Sequence, residues 1–466
     1  MLSPNRRRFL RTGAAALVST GLAGCGADGP SADSDTLTVL VPEDGATAVL
    51  EAAAERFGRS AAAKSSGTSV KLRRIPADAY EAELRASLGS AEGPDLLFHW
   101  GSGSIRTAAE EYQLTDLYDI MLDNPELGPS FLPSALTGSY VNERPFGVPV
   151  RGTRPVLLFY NKALFADLGL RPPSAWSTLR LVASRITRAG ITPFALGGSD
   201  TWTEVMWLAY LVERLGGPDV FRRIQAGDHT RWGGPAVLRA AQEVTSLADA
   251  GAFGDDFAAV SYTDGTATAR FARGRAAMHL MDSREHAALV ERFPEFAGRH
   301  LGWFPFPAVE DGRGDPKNLV GTPAGYLSVS DLTGRSGEAH RGGAHRGGAH
   351  RGGAHRGGAH RGGALDFLKS FSAPDHTDAL LKAGEVPVTA DAVRRLGASP
   401  HPEFTRFQYE LVRAAPAFGL NWEQAVHPSW RTALRSEVGD LFAGRSTPKQ
   451  FTRNLSEHRI PAARPR

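Results

Sequence analysis

Four side chains stand where a layered α/β sheet would present chemistry: Glu43, Asp44, His99 and Trp100. Glu43 and Asp44 follow the apolar run Leu37-Thr38-Val39-Leu40-Val41. His99 and Trp100 follow Pro94-Asp95-Leu96-Leu97-Phe98. Ligands of open α/β sheets sit beyond the carboxyl ends of the strands, so position alone singles out these four. Carboxylate, imidazole and indole groups there suit hydrogen bonding and stacking. Covalent chemistry is less well served. Glu43-Asp44 and Asp255-Asp256 are adjacent carboxylates, but neighbours along a strand point to opposite faces. Glycoside hydrolysis needs two carboxyl groups that face each other. Neither Gly-x-Ser-x-Gly nor His-Glu-x-x-His occurs. The Gly-rich loop Gly197-Gly198-Ser199-Asp200-Thr201-Trp202 has a shape that can cradle an anion at a helix start. It lacks the Gly-Lys-Ser/Thr of a nucleotide loop.

The elements that must carry these residues are legible from period and punctuation. Residues 37–41, 70–75 and 94–98 are strands, with helices over 46–57 and 77–87 between them. That β-α-β-α-β order implies a parallel, right-handed layer. The stretch 145–179 organises the rest of the chain. Gly147-Val148-Pro149-Val150 resists helix. Val156-Leu157-Leu158-Phe159-Tyr160 is a buried strand. A helix then runs to Gly169, with Pro172-Pro173 beyond it. Locally this is either a crossing between two lobes or an ordinary strand-helix unit. Further helices are expected over 178–190, 202–215, 235–251, 267–273 and 283–293. Strands are expected over 191–196, 276–281 and 325–330, with an extended aromatic segment at 301–307.

At 466 residues, two lobes or domains are expected. The first 24 residues lie outside that fold. Arg6-Arg7-Arg8 and Arg11 form a twin-arginine-type head, and a short, weakly apolar run follows. That run is too short for a permanent membrane helix. Cys25 is the sole cysteine, so it makes no intramolecular disulfide. Residues 26–35 (GADGPSADSD) read as a flexible tether. The net charge is +3; without the four arginines of the head it is −1. Without the five arginines of the repeat Ala-His-Arg-Gly-Gly (339–363) it is −6. A mildly acidic body gives no support for nucleic-acid binding. The repeat reads as a disordered surface loop, or as a metal tract through His340, His345, His350, His355 and His360. No metal and no cofactor is expected.

Leu22-Ala23-Gly24-Cys25 resembles the lipobox of bacterial lipoproteins, in which the cysteine is lipidated. Five further segments resemble, in order, the extracellular solute-binding proteins of bacterial ABC importers, the branch that includes maltose- and other oligosaccharide-binding lipoproteins. They are 94–100 (PDLLFHW), 147–169 with FYNKALF, 172–179 (PPSAWSTL), 271–281 (FARGRAAMHLM) and 319–330 leading on to ALDFL at 364–368. The resemblance implies an α/β, two-lobed periplasmic-binding-protein (Venus flytrap) fold. Each lobe would be a sheet flanked by helices, joined by hinge strands. By similarity, the first lobe is 36–149 plus 299–372, the second is 150–298 plus 373–466, and 149–153 is a hinge crossing. It also implies a small-molecule solute, a sugar or oligosaccharide, and ABC permease transmembrane subunits as partners. The protein would be a monomer, exported and held by its acylated cysteine on the outer face of the cell membrane. It would not be an enzyme. A non-sugar polar solute (a polyol, a phosphorylated compound or a peptide) and a secreted carbohydrate-active enzyme are the alternatives.

Sugars present flat apolar faces and a rim of hydroxyls, which aromatic rings and polar side chains match. On that basis the candidate ligand-binding residues are Glu43, Asp44, His99, Trp100, Arg151, Arg154, Asp200, Trp202, Arg284, Trp303, Tyr326, Trp422 and Trp430, the last two implied by the resemblance, since relatives often place a stacking ring in that late region. Trp176 and Trp207 read as packing residues, and Trp232 is uninformative. Relatives often carry an aromatic residue shortly after the strand equivalent to 278–281. Here Asp282-Ser283-Arg284-Glu285 follows, which implies a more polar solute than a maltodextrin.

Overall fold

The computed structural model describes residues 36–44, 47–87, 93–112, 114–331, 354–426 and 428–458. Its strands are β1 (Thr36–Glu43), β2 (Ser69–Pro76), β3 (Leu96–His99), β4 (Tyr140–Val141), β5 (Arg144–Pro145), β6 (Val148–Pro149) and β7 (Arg154–Asn161). They continue as β8 (Thr192–Ala195), β9 (Ala276–Asp282), β10 (Leu301–Phe304), β11 (Leu319–Thr322), β12 (Tyr326–Val329) and β13 (Phe418–Leu420). The first sheet has the order β2-β1-β3-β12-β6. The second has the order β13-β11-β7-β9-β8, with β10 also paired to β7.

β1 pairs in parallel with β2 and β3, as the alternation of strands and helices requires. β3 and the middle of β7 are buried on both faces. That is why they read as unbroken apolar runs rather than alternating ones. The helix after β7 starts where Asn161 Oδ1 accepts from the Ala163 and Leu164 N–H groups, at 3.0 and 3.2 Å. It ends at Gly169, whose φ of +61° suits glycine. The helix Trp202–Gly216 is buried nearly all round, as its sequence lacks a polar face.

Residues 35–466 form one compact unit that contains two hydrophobic cores. One core surrounds β1, β3 and β12; the other surrounds β7, β8 and β9. The chain crosses between them at 150–153, at 323–325 and ahead of β13. The helix Pro402–Ala414 straddles both, with Phe404 in the second core and Tyr409 and Val412 in the first.

The boundaries inferred from resemblance change in three places. β10 and β11 pair with β7, so the return to the first sheet begins at β12 and not at residue 299. Leu381, Val386, Val388 and Leu396 pack in the first core, although 373–466 was assigned to the second lobe. A helix runs over Ala354–Lys369 and takes in the last ten residues of the repeat. The apolar ALDFL face that follows anchors it, and Gly363 lies against Thr68, where a Cβ would come within 2.5 Å of the hydroxyl. Cys25, the leader and the tether lie outside the described residues, as does the repeat up to 353. No helix among the described residues is long and apolar enough to cross a membrane.

Candidate functional site

The carboxyl ends of β1, β3 and β6 and the start of β12 share one edge of the first sheet. The ends of β8 and β9 and the start of β7 share one edge of the second. The segment Val150–Thr153 joins those edges and is pinned from several sides. Val150 N–H donates to Gly325 O at 2.8 Å, and Thr153 N–H donates to Val386 O at 2.9 Å. Gly152 N–H donates to the Glu385 carboxylate at 2.7 Å. Gly152 has no room for a side chain: a Cβ would lie 2.6 Å from Glu385 Cβ and 2.9 Å from Val386 N. His376 Nε2 lies 3.0 Å from Val150 O, while Nδ1 lies 3.1 Å from Arg56 Nη2. The ring therefore accepts at Nδ1 and donates at Nε2, which is the neutral form. Burial and the nearby Arg56 push its pKa down to about 4.

This rigid crossing presents Arg151 and Arg154. Arg151 is buried and forms a fork with Asp44, at 2.8 and 2.9 Å. Its guanidinium carbon also lies 4.4 Å over the Phe98 ring. Across the crossing, Arg284 binds Asp282 through Nε at 3.0 Å and Nη2 at 2.6 Å. Burial would raise the Asp282 pKa, but Arg284, with help from Arg154, holds it below the usual carboxylate range. Arg284 is raised above its ordinary value chiefly by Asp282, and Tyr262 and Asp44 add to this. The influence of Asp44 on Arg284 links the first sheet to the second. Arg154 is half-buried. Desolvation lowers its pKa, against the pull of Asp282. Two forked carboxylate–guanidinium pairs and a third guanidinium thus converge where the two sheet edges meet. Such a set donates and accepts hydrogen bonds in fixed directions.

Aromatic rings flank this cluster. Trp202 meets Tyr262 edge-to-face at 5.2 Å. Tyr262 belongs to the same network through Arg284, Asp282 and Glu285, and burial followed by those carboxylates raises its hydroxyl pKa. Glu285 is sealed inside and bonds His279 Nδ1 and the Thr268 hydroxyl at 3.1 Å each. Trp100 is half-buried and leans edge-to-face on Tyr80 and Phe98, at 5.2 and 5.6 Å.

The expected site residues therefore separate. Asp44, Arg151, Arg154 and Arg284 come together, with Trp202 beside them through Tyr262. Trp100 and the exposed Glu43 lie at strand ends of the first sheet. Asp200 is turned inward. Its carboxylate accepts from the Ser261 and Thr263 hydroxyls and from the Tyr262 and Thr263 N–H groups, at 2.7–2.9 Å. It latches the loop that carries Tyr262. Tyr326 is fully buried, and its hydroxyl donates to Ala135 O. His99 is also fully buried, with Nδ1 3.2 Å from the Ser104 hydroxyl. Desolvation pushes the His99 pKa down to about 3.

Trp303 sits on β10 opposite Phe159, five residues along β7 from Arg154. At about 3.3 Å per residue, that places it roughly 16 Å away from the cluster. It packs instead on Phe404, at 4.9 Å. Trp430 is 2% exposed and stacks on His229 at 4.5 Å. Trp422 is equally buried and stacks on Phe221 at 4.8 Å. These two and Trp232 fill the second core. Trp422 also borders an interlobe groove of about 1010 Å³ at the β13 edge of the second sheet, together with Phe221, Tyr140, Leu420, Arg222 and Arg106. Sequence reasoning missed Asp282 and Tyr262 as site residues. For Asp282 the signal was present: a carboxylate closing a strand buried along its whole length.

The family model described as bacterial extracellular solute-binding protein matches residues 42–346. Among curated proteins, the chain is 27% identical over 210 residues to the multiple sugar-binding protein of Streptococcus mutans. That match covers 43% of this chain and 47% of the relative, so the chain spans about half the length of this curated relative. Among solved structures, a chitin oligosaccharide binding protein superposes with a TM-score of 0.67 at 23% identity, covering 91% of this chain and 98% of that one. A bacterial solute receptor described as having an exclusive preference for β-D-galactopyranose superposes with a TM-score of 0.71 at 15% identity and the same coverages. At those identities the superpositions establish the shared two-lobed α/β fold.

Proposed function

The chain belongs to the bacterial extracellular solute-binding protein family, and from that premise we propose that it captures a sugar or oligosaccharide between its lobes for an ABC importer. The observation that carries this reading is the meeting of the Asp44–Arg151 and Asp282–Arg284 forks at the facing ends of the two sheets. Trp202, Tyr262 and Trp100 offer rings for the apolar faces of a pyranose. The sugar-binding relatives named above support the solute class. Contacts from both lobes would stabilise a closed form selected by the solute, and that form would dock on the permease subunits. The protein acts here as a monomeric binding protein without turnover. The arginine head and the Leu-Ala-Gly-Cys segment support export of the chain and acylation at Cys25, which would tether it to the outer face of the membrane.

Thermal melting against a panel of mono- and oligosaccharides tests this reading. A solute held only by the native state raises the melting temperature. Upward shifts with one group of sugars are expected, with none in Asp44→Ala. A panel without any shift contradicts the proposal, and hydrolysis of any glycoside contradicts the absence of turnover. Mass spectrometry of the membrane fraction tests acylation, which Cys25→Ser should abolish.

A further inference from the structure

The charged side chains at the crossing answer one another. Arg151 is forked by Asp44, at 2.8 and 2.9 Å, and Arg284 is forked by Asp282. Arg154, the third cation, opens β7 two residues before Val156, which lies opposite Asp282. Successive even positions of a strand share a face, so Arg154 and Asp282 project to the same side of the second sheet. Asp282 and Glu385 both pull on Arg154, and Glu385 is fixed near it by the Gly152 N–H at 2.7 Å. Three guanidinium groups thus meet three carboxylates, and their formal charges cancel. The acids nearby have partners of their own or face water. Two hydroxyls and two backbone N–H groups hold Asp200. His279 Nδ1 and the Thr268 hydroxyl hold Glu285, and Glu43 is exposed. Arg151 and Asp282, one from each fork, are only 2% and 6% exposed.

We infer that this balanced cluster selects against charge, so that the captured solute is a neutral sugar and not a uronate, an amino sugar or a sugar phosphate. This rests on the reading of the protein as a sugar-capturing protein and narrows it. A solute enclosed between the lobes leaves water together with these side chains. An ion entering the set finds each countercharge already engaged. It either stays unpaired or takes a partner from an existing pair, and breaking a buried pair strands the charge left behind. A hydroxyl is under no such constraint, because it donates or accepts a hydrogen bond without changing the sum of charges. A misplaced charge is an effective means of rejecting a solute of otherwise matching shape. Asp44, Asp282 and Glu385 therefore act in specificity, each by cancelling one guanidinium.

The test is calorimetric titration of the mature protein at about pH 6, where an amino sugar is charged. The probes are matched series: glucose, glucuronate, glucosamine and glucose 6-phosphate, and the same four forms of galactose. A neutral member is expected to bind at least about tenfold tighter than each charged partner, and added salt should leave its affinity within about twofold. Asp44→Asn keeps the shape of the first fork and leaves Arg151 unanswered. In that variant the ratio of uronate to neutral affinity should rise at least about tenfold over wild type. Arg284→Gln unbalances the second fork in the other direction and should raise the ratio for the amino sugar. Variants that weaken all members of a series alike would show a structural role only, and would overturn the inference. If Asp44→Asn fails to fold, the wild-type series and its salt dependence still decide the matter. A uronate, amino sugar or sugar phosphate that binds as tightly as its neutral parent would overturn the inference while leaving sugar capture standing. Binding of no sugar, neutral or charged, would overturn both readings.

Discussion

Arg151 and Glu204 are both buried and ionisable, yet they face opposite circumstances. Arg151 has a fork of two carboxylate oxygens. Removing one partner of a buried pair leaves an uncompensated charge, which is worse than never having had the pair. Asp44 is 27% exposed, so water screens part of that loss. Asp44→Ala is expected to cost about 1–3 kcal/mol in urea unfolding, discounted from the figure for fully buried pairs. Glu204 lies in the first turn of the helix Trp202–Gly216, and its Oε2 has no partner among the described residues. Desolvation raises its pKa to about 8, against a weak pull from Arg445. Between the ordinary value of 4.5 and about 8, the folded chain keeps a proton that the unfolded chain releases. The contribution of Glu204 to stability therefore falls as pH rises through that window. Glu204→Gln should remove this slope and raise the unfolding midpoint at pH 8, and an unchanged slope in the variant would refute the assignment.

Among elements, the crossing 150–153 carries the most constraint. Gly152→Ala places a methyl against backbone, which cannot move without shifting the strand partner Val386. A loss of roughly 2 kcal/mol or more is expected, together with weakened solute binding, because Arg151 and Arg154 flank the glycine. His376 holds the same segment in its neutral form, and His99 and His286 are also pushed down, to about 3 and about 4. Below about pH 6.5 the unfolded chain takes up protons that these three folded histidines refuse. Stability should drop from pH 6.5 toward pH 4, visible as a falling urea midpoint between pH 7 and pH 5. The tryptophans of the second core make a separate prediction: Trp430→Ala should cost about 3–5 kcal/mol through the cavity it leaves. Had Trp430 been a stacking ring for solute, the loss would appear in affinity and not in stability.

Over the whole molecule, the sequence revealed what local rules control. The α/β order of the first sheet follows from strand-helix alternation, and the crossing follows from Gly147-Val148-Pro149-Val150 and the buried run after it. Arg151 and Arg154 were candidates because they sit on that crossing. Trp303, Trp422 and Trp430 had the right chemistry, but only three-dimensional packing separates a ring in a core from a ring facing solute. Tyr262 lies in a stretch with no motif, and its place depends on the Asp200 latch, which spans about sixty residues of chain. The lobe boundaries were equally illegible, because antiparallel β10 and β11 extend the second sheet before the chain returns.

Two cores joined by three crossings should allow the lobes to move about the crossing segments while each core stays intact. The most direct test of interlobe capture is small-angle X-ray scattering of the mature protein, with and without a saturating solute from the binding panel. The radius of gyration is expected to fall on saturation, and Asp44→Ala should lose that response at the same solute concentration. A solute that binds tightly and leaves the radius of gyration unchanged would contradict capture between the lobes.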